Sequence, residues 1–187
     1  EIMPSLVGSE MCIRDSLTSM GTYLFNIGLG AKIGLFYAMQ GIVSLFMPAI
    51  MGIIADRWVP AQKLYGFCHF MAAVFMVAAG WYGYVDGEAV NFGTLFTFYS
   101  LSVAFYMPTL ALTNSVAYTA LDKVKLDPVI AFPPIRIFGT IGFICSMLLT
   151  DILGFQNNYM QFFSCACFGV IPVSYTHLTL PTNREVE

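Results

Sequence analysis

Three long stretches without a charged side chain constrain this sequence more than any other feature. Residues 33–55, 64–84 and 92–121 contain no Asp, Glu, Lys or Arg and consist mostly of apolar side chains. A helix of about 20 apolar residues crosses the hydrocarbon core of a bilayer, which is roughly 30 Å thick. Over the whole chain only 10% of residues are charged, against about a quarter in soluble domains. The sequence therefore predicts a polytopic α-helical membrane protein.

The apolar pattern divides the chain into six predicted membrane helices. They cover residues 17–28, 33–56, 62–84, 92–121, 128–151 and 157–171. The first and the sixth are short for a span, so we expect both to be truncated. We predict an all-α membrane protein, with a six-helix bundle formed by residues 17–171.

The two ends of the chain have an unusual relationship to each other. Residues 10–16 read EMCIRDS, which the codons GAG ATG TGT ATA AGA GAC AG encode, and this string resembles a transposase-type sequencing adaptor. Its reverse complement encodes PVSYTHL, the sequence of residues 172–178. We therefore interpret residues 1–16 and 172–187 as non-native, adaptor-derived segments and exclude them from the fold. The alternative is a genuine polar N-terminus and C-terminal tail.

The charges in the predicted loops set the orientation, because Lys and Arg near span ends favour the cytoplasmic side and acidic residues count little. The loops after the second and fourth spans carry the basic residues Arg57, Lys63, Lys123 and Lys125. The loops after the third and fifth spans carry only the acidic residues Asp86, Glu88 and Asp151. Lys32, in the first loop, is a single exception. We predict that the even-numbered spans end in the cytoplasm and that the N-terminus is cytoplasmic.

The loop after the second span contains a recognisable motif. Residues 52–63 read GIIADRWVPAQK, which resembles the G-x-x-A-D-R-x-x-x-R/K signature between helices 2 and 3 of the major facilitator superfamily. A glycine permits close helix contact, and an Asp at a helix end can meet a basic partner or the N-terminus of another helix. We predict a conformational latch made by Gly52, Asp56, Arg57 and Lys63. Pro60 and the single basic residue at the end depart from the family pattern, and an ordinary positive-inside loop is the alternative.

Four stretches resemble one branch of that superfamily, the nucleoside:proton symporters. They are MGTYLF at residues 20–25, the second span with its loop at 36–58, the fourth span at 97–123, and AFPPIRIFGTIGFICSM at 131–147. The resemblance implies a monomeric twelve-helix transporter of the bacterial inner membrane, of which this chain is the N-terminal half. It also implies a midplane cavity, nucleosides and protons as the transported partners, and no cofactor.

The fifth span carries the candidate substrate-binding residues Arg136, Thr140 and Phe143. Their spacing of i, i+4 and i+7 puts a guanidinium, a hydroxyl and an aromatic ring on one helix face, where they can hydrogen-bond and stack a base or sugar. If the helix begins at Asp127-Pro128, Arg136 lies roughly 13 Å along it, a depth at which a charge is expected to be functional. If Pro133 opens the helix instead, Arg136 is an interfacial anchor that reaches the headgroups.

Other features point to helix packing. The second span contains small residues that favour close helix contact, namely Gly34, Ala38 and Gly41. We assign its single amide and four polar residues of the fourth span to hydrogen bonds between helices, and these are Gln40, Tyr106, Thr109, Asn114 and Tyr118.

The sequence contains no motif for chemistry on a substrate. It has no P-loop, no G-x-S-x-G and no H-E-x-x-H, so we predict no catalytic residues and no enzyme activity. His69 has no second His nearby in the sequence, so we predict no metal site, and no basic stretch indicates nucleic acid. The alternatives are a carrier for a sugar or drug and a membrane receptor or enzyme. No acidic residue lies mid-span, and the resemblance places the proton-coupling carboxylate in the missing half.

Overall fold

The computed structural model describes residues 19–123, 125, 127–167 and 170. Within these residues there is no β-strand. The helices are α1 (residues 19–26), α2 (Ile33–Arg57), α3 (Ala61–Asp86), α4 (Phe92–Lys123), α5 (Pro128–Ile152) and α6 (residues 160–167). Short 3-10 turns at Gly30–Lys32, Gly87–Ala89 and Phe155–Asn157 separate some of them.

The predicted helix bounds are confirmed to within three residues wherever the structure describes them. The largest difference is at α6, which begins at residue 160 instead of 157, because Phe155–Asn157 form a 3-10 turn. Three helical segments are long and apolar enough to cross a membrane, at Gly30–Arg57, Ala61–Asp86 and Phe92–Thr119, and α5 adds a shorter apolar stretch, Thr140–Ile152. This count covers only the residues that the structure describes. The two terminal segments that we interpret as adaptor-derived lie outside that range, so this interpretation stays a prediction.

The long helix α4 lies at the centre of the bundle and packs most extensively on α3 and α2. Near its start, the ring of Phe36 makes edge contacts with Phe92, Phe96 and Tyr99, with centroids 5.9, 5.2 and 5.3 Å away. Near the other end of the bundle, Leu112 packs in one cluster with the start of α3 and the end of α2. Thus α2 and α4 run parallel, and α3 runs antiparallel to both.

This arrangement has a consequence for the predicted loops. Because α2 and α4 run parallel, Asp56 and Arg57 at the end of α2 lie at the same end of the bundle as Lys123 at the end of α4. The sequence predicted this shared end from the loop charges.

Close helix contact is made by glycines of α3, not by those of α2. A Cβ atom placed on Gly34 or Gly41 would meet nothing within 4 Å, whereas one on Gly83 would lie 2.8 Å from the Tyr23 hydroxyl. The prediction for Gly34, Ala38 and Gly41 is therefore wrong within the described residues. The reason is that α2 packs on α4 through Phe36, which lies on the opposite face of the helix.

The contact at Gly83 yields a prediction about stability. Gly83→Ala forces the rigid ring of Tyr23 to move, because that ring is 97% buried (3% exposed) and also contacts Phe162 edge-on. We expect a loss on the order of 1–3 kcal/mol, typical of overpacking, measured as a lower midpoint of thermal unfolding of the purified protein in detergent.

The matched control is Gly34→Ala, which enters open space on α2. It should leave the midpoint unchanged or raise it, because Ala is favoured over Gly in a helix by about 0.5–1 kcal/mol. Equal midpoints for the two variants would contradict the packing described for α1 on α3.

Candidate functional site

The start of α5 decides how deep its polar residues lie. The helix begins at Pro128, and the Asp127 carboxylate caps it by accepting a hydrogen bond of 2.9 Å from the backbone N–H of Val129. Proline suits the first helical position because its missing N–H would have no partner there. Pro133 is therefore inside the helix, and Arg136 lies about 12 Å along the axis from the first residue. The alternative in which Pro133 opens the helix is wrong.

The surface of α5 divides into three faces. One face is buried against the bundle and includes Ser146 and Thr150. A second face is apolar and exposed, and its members are Ile137, Ile141, Ile144 and Leu148. The third face carries Arg136 and Thr140, both exposed, and Phe143, which is half-buried. With 3.6 residues per turn, this third face lies about 100° around the helix from the isoleucine face.

The polar face of α5 has its own internal geometry. The hydroxyl of Thr140 donates a hydrogen bond of 3.3 Å to the backbone carbonyl of Arg136, so its oxygen lone pairs stay available as acceptors. No hydrogen bond or ion pair of the Arg136 guanidinium with another described residue is present. The three candidate residues thus share a face, as predicted, and present a donor, an acceptor and a ring side by side.

An aromatic contact joins α5 to α4. The rings of Tyr118 and Phe132 lie 4.7 Å apart between centroids with an interplanar angle of 36°. Tyr118 is 46% exposed, and Asn114, one turn earlier on α4, is also exposed. Tyr106 and Thr109, in contrast, are fully buried. The predicted hydrogen bond between helices is wrong for Thr109, whose hydroxyl donates to the carbonyl of Tyr106 in the same helix at 2.6 Å. Asn114 and Tyr118 make no hydrogen bond with another described residue, and the contact of Tyr118 with α5 is between aromatic rings.

The predicted latch residues lie together at one end of the bundle. Asp56 and Arg57 end α2, and Lys63 lies in the first turn of α3, where its N–H bonds to the carbonyl of Pro60. All three side chains are exposed, and a Cβ on Gly52 would meet open space. No ion pair joins these charges within the described part of the chain, so the latch stays a prediction.

The sequence did not predict a buried polar contact between the first and last helices. The Ser19 hydroxyl donates to the Gln161 carbonyl oxygen at 2.6 Å, and both residues are buried. At the other end of α1, the Asn26 amide donates to the side-chain oxygen of Asn157 at 3.2 Å. No signal in the sequence could have indicated these pairs, because they join segments that lie more than 130 positions apart.

Known proteins resemble this chain over most of its length. The family model described as nucleoside H+ symporter matches residues 9–185. Nucleoside permease NupG of Escherichia coli (strain K12) is 38% identical over 176 residues, which are 92% of this chain and 40% of that protein. Xanthosine permease of the same organism is 38% identical over 167 residues, which are 88% of this chain and 38% of that protein.

Solved structures show the same likeness in three dimensions. The crystal structure of nucleoside transporter NupG superposes with a TM-score of 0.85 at 35% identity and covers 94% of this chain and 42% of that one. A mutant of the same transporter gives a TM-score of 0.88 at 36% identity, with coverages of 96% and 44%. The chain thus spans about two fifths of the length of the relatives it matches. On this evidence the chain belongs to the nucleoside H+ symporter family, a branch of the major facilitator superfamily.

Proposed function

We propose that this chain is the N-terminal half of a twelve-helix, proton-coupled nucleoside transporter of the bacterial inner membrane, monomeric at full length. The observation that carries the proposal is its family membership together with the superposition on a nucleoside transporter along nearly the whole chain. The fraction of the relatives that it covers suits one half of such a transporter. In this proposal, the six-helix unit rocks against a second unit and opens a central site to each side in turn.

The polar face of α5 supports the placement of the substrate site. An arginine about 12 Å inside a membrane helix costs at least about 2.5 kcal/mol if it faces hydrocarbon. It is tolerated where it faces a wet cavity or the inside of a bundle. The exposed isoleucine face of α5 suits contact with lipid. Arg136 lies on a different face of the helix. We propose that the face with Arg136, Thr140 and Phe143 lines the cavity between the two halves.

Each of the three residues has a specific part in the proposed site. The Arg136 guanidinium donates hydrogen bonds to carbonyl or hydroxyl oxygens of a nucleoside. The Thr140 oxygen accepts from a ribose hydroxyl, and the Phe143 ring stacks on the base. The coupling proton needs a carrier, and no Asp or Glu lies mid-span in the predicted helices. We place the proton-carrying carboxylate in the second half.

Basic residues near the ends of α2 and α4 support the predicted orientation in the membrane. Arg57 ends α2, Lys63 lies in the first turn of α3, and Lys125 follows α4. The ends of α2 and α4 lie at the same end of the bundle. Positive charges of short loops favour the cytoplasmic side. We place this end in the cytoplasm, where Asp56 can latch onto the second half in one conformation and release it in the other.

Uptake into proteoliposomes tests the function. The full-length protein, reconstituted with a pH gradient that is acidic outside, should accumulate labelled uridine or adenosine above the external concentration, because proton entry supplies the free energy. A protonophore should abolish accumulation and leave only equilibration. Accumulation of a labelled sugar or a cationic drug instead would establish the rival carrier, and nucleoside binding without any translocation would favour a receptor.

The role of Arg136 is tested by substitution. Arg136→Ala should weaken uridine binding about tenfold to a hundredfold, since a hydrogen bond to a charged group contributes about 1.5–3 kcal/mol. Isothermal titration of the purified full-length protein measures this. Ile144→Ala is the control, because it lies on the exposed apolar face of the same helix, and should leave binding unchanged. Unaltered affinity in Arg136→Ala would remove the residue from the site.

The latch is tested at Asp56. Asp56→Asn removes the negative charge but keeps the shape of the side chain, so we expect a slower transport rate with an unchanged binding constant for the nucleoside. Uptake rates and equilibrium binding of the same preparation separate the two effects. A normal transport rate in the Asp56→Asn protein would contradict the latch and favour the alternative, an ordinary positive-inside loop.

A further inference from the structure

The contact between Tyr118 and Phe132 fixes the register of two antiparallel helices. Tyr118 lies five residues before the end of α4, and Phe132 lies four residues after the start of α5. One turn deeper on α4 is Asn114, and one turn deeper on α5 is Arg136. Both lie about 12–14 Å from the shared end of the helix pair, by a rise of about 1.5 Å per residue. The register therefore brings Asn114 and Arg136 to the same depth.

The two residues also lie on matching faces. Asn114 and Tyr118 are four positions apart on α4, and Arg136 and Phe132 are four positions apart on α5, so each polar residue shares a face with one ring of the aromatic pair. Asn114 is exposed and makes no hydrogen bond with another described residue. In contrast, the hydroxyl of Ser102 on the same helix donates to the carbonyl of Ala72 at 2.9 Å.

A carboxamide at this depth that makes no hydrogen bond with the described residues is informative. Leaving an amide without a hydrogen bond in an apolar medium costs several kcal/mol, so a lipid-facing Asn114 is unfavourable. A wet cavity that admits a polar ligand satisfies both its donor and its acceptor. The same reasoning led us to place Arg136 in the cavity. The exposure of Asn114 on α4 and that of Arg136 on α5 are separate observations, because the residues belong to different helices.

We propose that Asn114 is a specificity-determining residue that hydrogen-bonds the edge of the nucleobase, opposite Arg136. This inference rests on the proposed function. A carboxamide presents a donor beside an acceptor, and the hydrogen-bonding edge of a pyrimidine presents the same pattern, with O4 as acceptor in uracil and the N4 amino group as donor in cytosine. Rotation of the amide exchanges its two atoms, so one asparagine reads both bases. The exposed Tyr118 ring, one turn closer to the helix ends, provides an apolar surface beside the base.

The proposal is tested by comparing how the wild-type protein and Asn114 variants bind three related ligands. Binding to the full-length protein is measured for uridine, cytidine and 2-pyridone riboside, an analogue that lacks the groups at ring positions 3 and 4. Asn114→Leu, which keeps the side-chain volume, should lower the affinity for uridine and for cytidine about tenfold, as expected for lost neutral hydrogen bonds. It should leave the affinity for 2-pyridone riboside nearly unchanged. Asn114→Ala provides a second variant with the same expected pattern, in case the leucine disturbs folding.

The matched control is Thr119→Val. Thr119 is exposed on α4 and its hydroxyl donates to the carbonyl of Ser115 at 2.9 Å, but it lies about 140° around the helix from Asn114. Its loss should therefore not alter the affinity for any of the three ligands. Equal weakening of all three ligands by Asn114→Leu and Asn114→Ala would show a structural role and overturn the proposal, and so would unchanged affinities. If the wild-type protein binds no nucleoside, the proposed function fails, which is a result distinct from the failure of Asn114 alone.

Discussion

The absence of water in the hydrocarbon core is the constraint on which the rest of this structure depends. Every backbone N–H and C=O inside the bilayer needs a partner, so the chain crosses as helices. Lipid is as apolar as leucine, so burial alone does not hold the helices together. Packing and hydrogen bonds between helices replace it, as seen where Tyr23 rests on Gly83 and where Ser102 donates to the carbonyl of Ala72.

The helices differ in how much of their surface this packing uses. More than half of the residues in the apolar stretches of α3 and α4 are buried, whereas α2 packs on α4 through few buried residues. An uncovered apolar helix is compatible with lipid, but an uncovered polar face is not. The exposed polar residues of α4 and α5 therefore carry more information about function than the exposed isoleucines and leucines, which need no explanation in a membrane protein.

Much of the fold follows from the sequence because its strongest signals are local. Uncharged runs gave the helix bounds, and Asp127-Pro128 gave the start of α5, since a capping side chain and a first-position proline act within one turn. The sequence did not predict which helices pack against each other at each glycine. Gly34 and Gly83 look alike in the sequence, and only the placement of neighbouring helices distinguishes open space at one from close contact at the other.

The contact between α1 and α6 has a consequence for biosynthesis. Ser19 and Gln161 lie 142 positions apart, so at about 5–20 residues per second the ribosome needs roughly seven to thirty seconds to supply the second partner. During that interval α1 resides in the membrane without the partner of its buried hydroxyl. A serine can bridge such an interval by bonding to a carbonyl of its own helix. Helix α6 thus completes the burial of α1, and this contact forms only after the helices between them have been made.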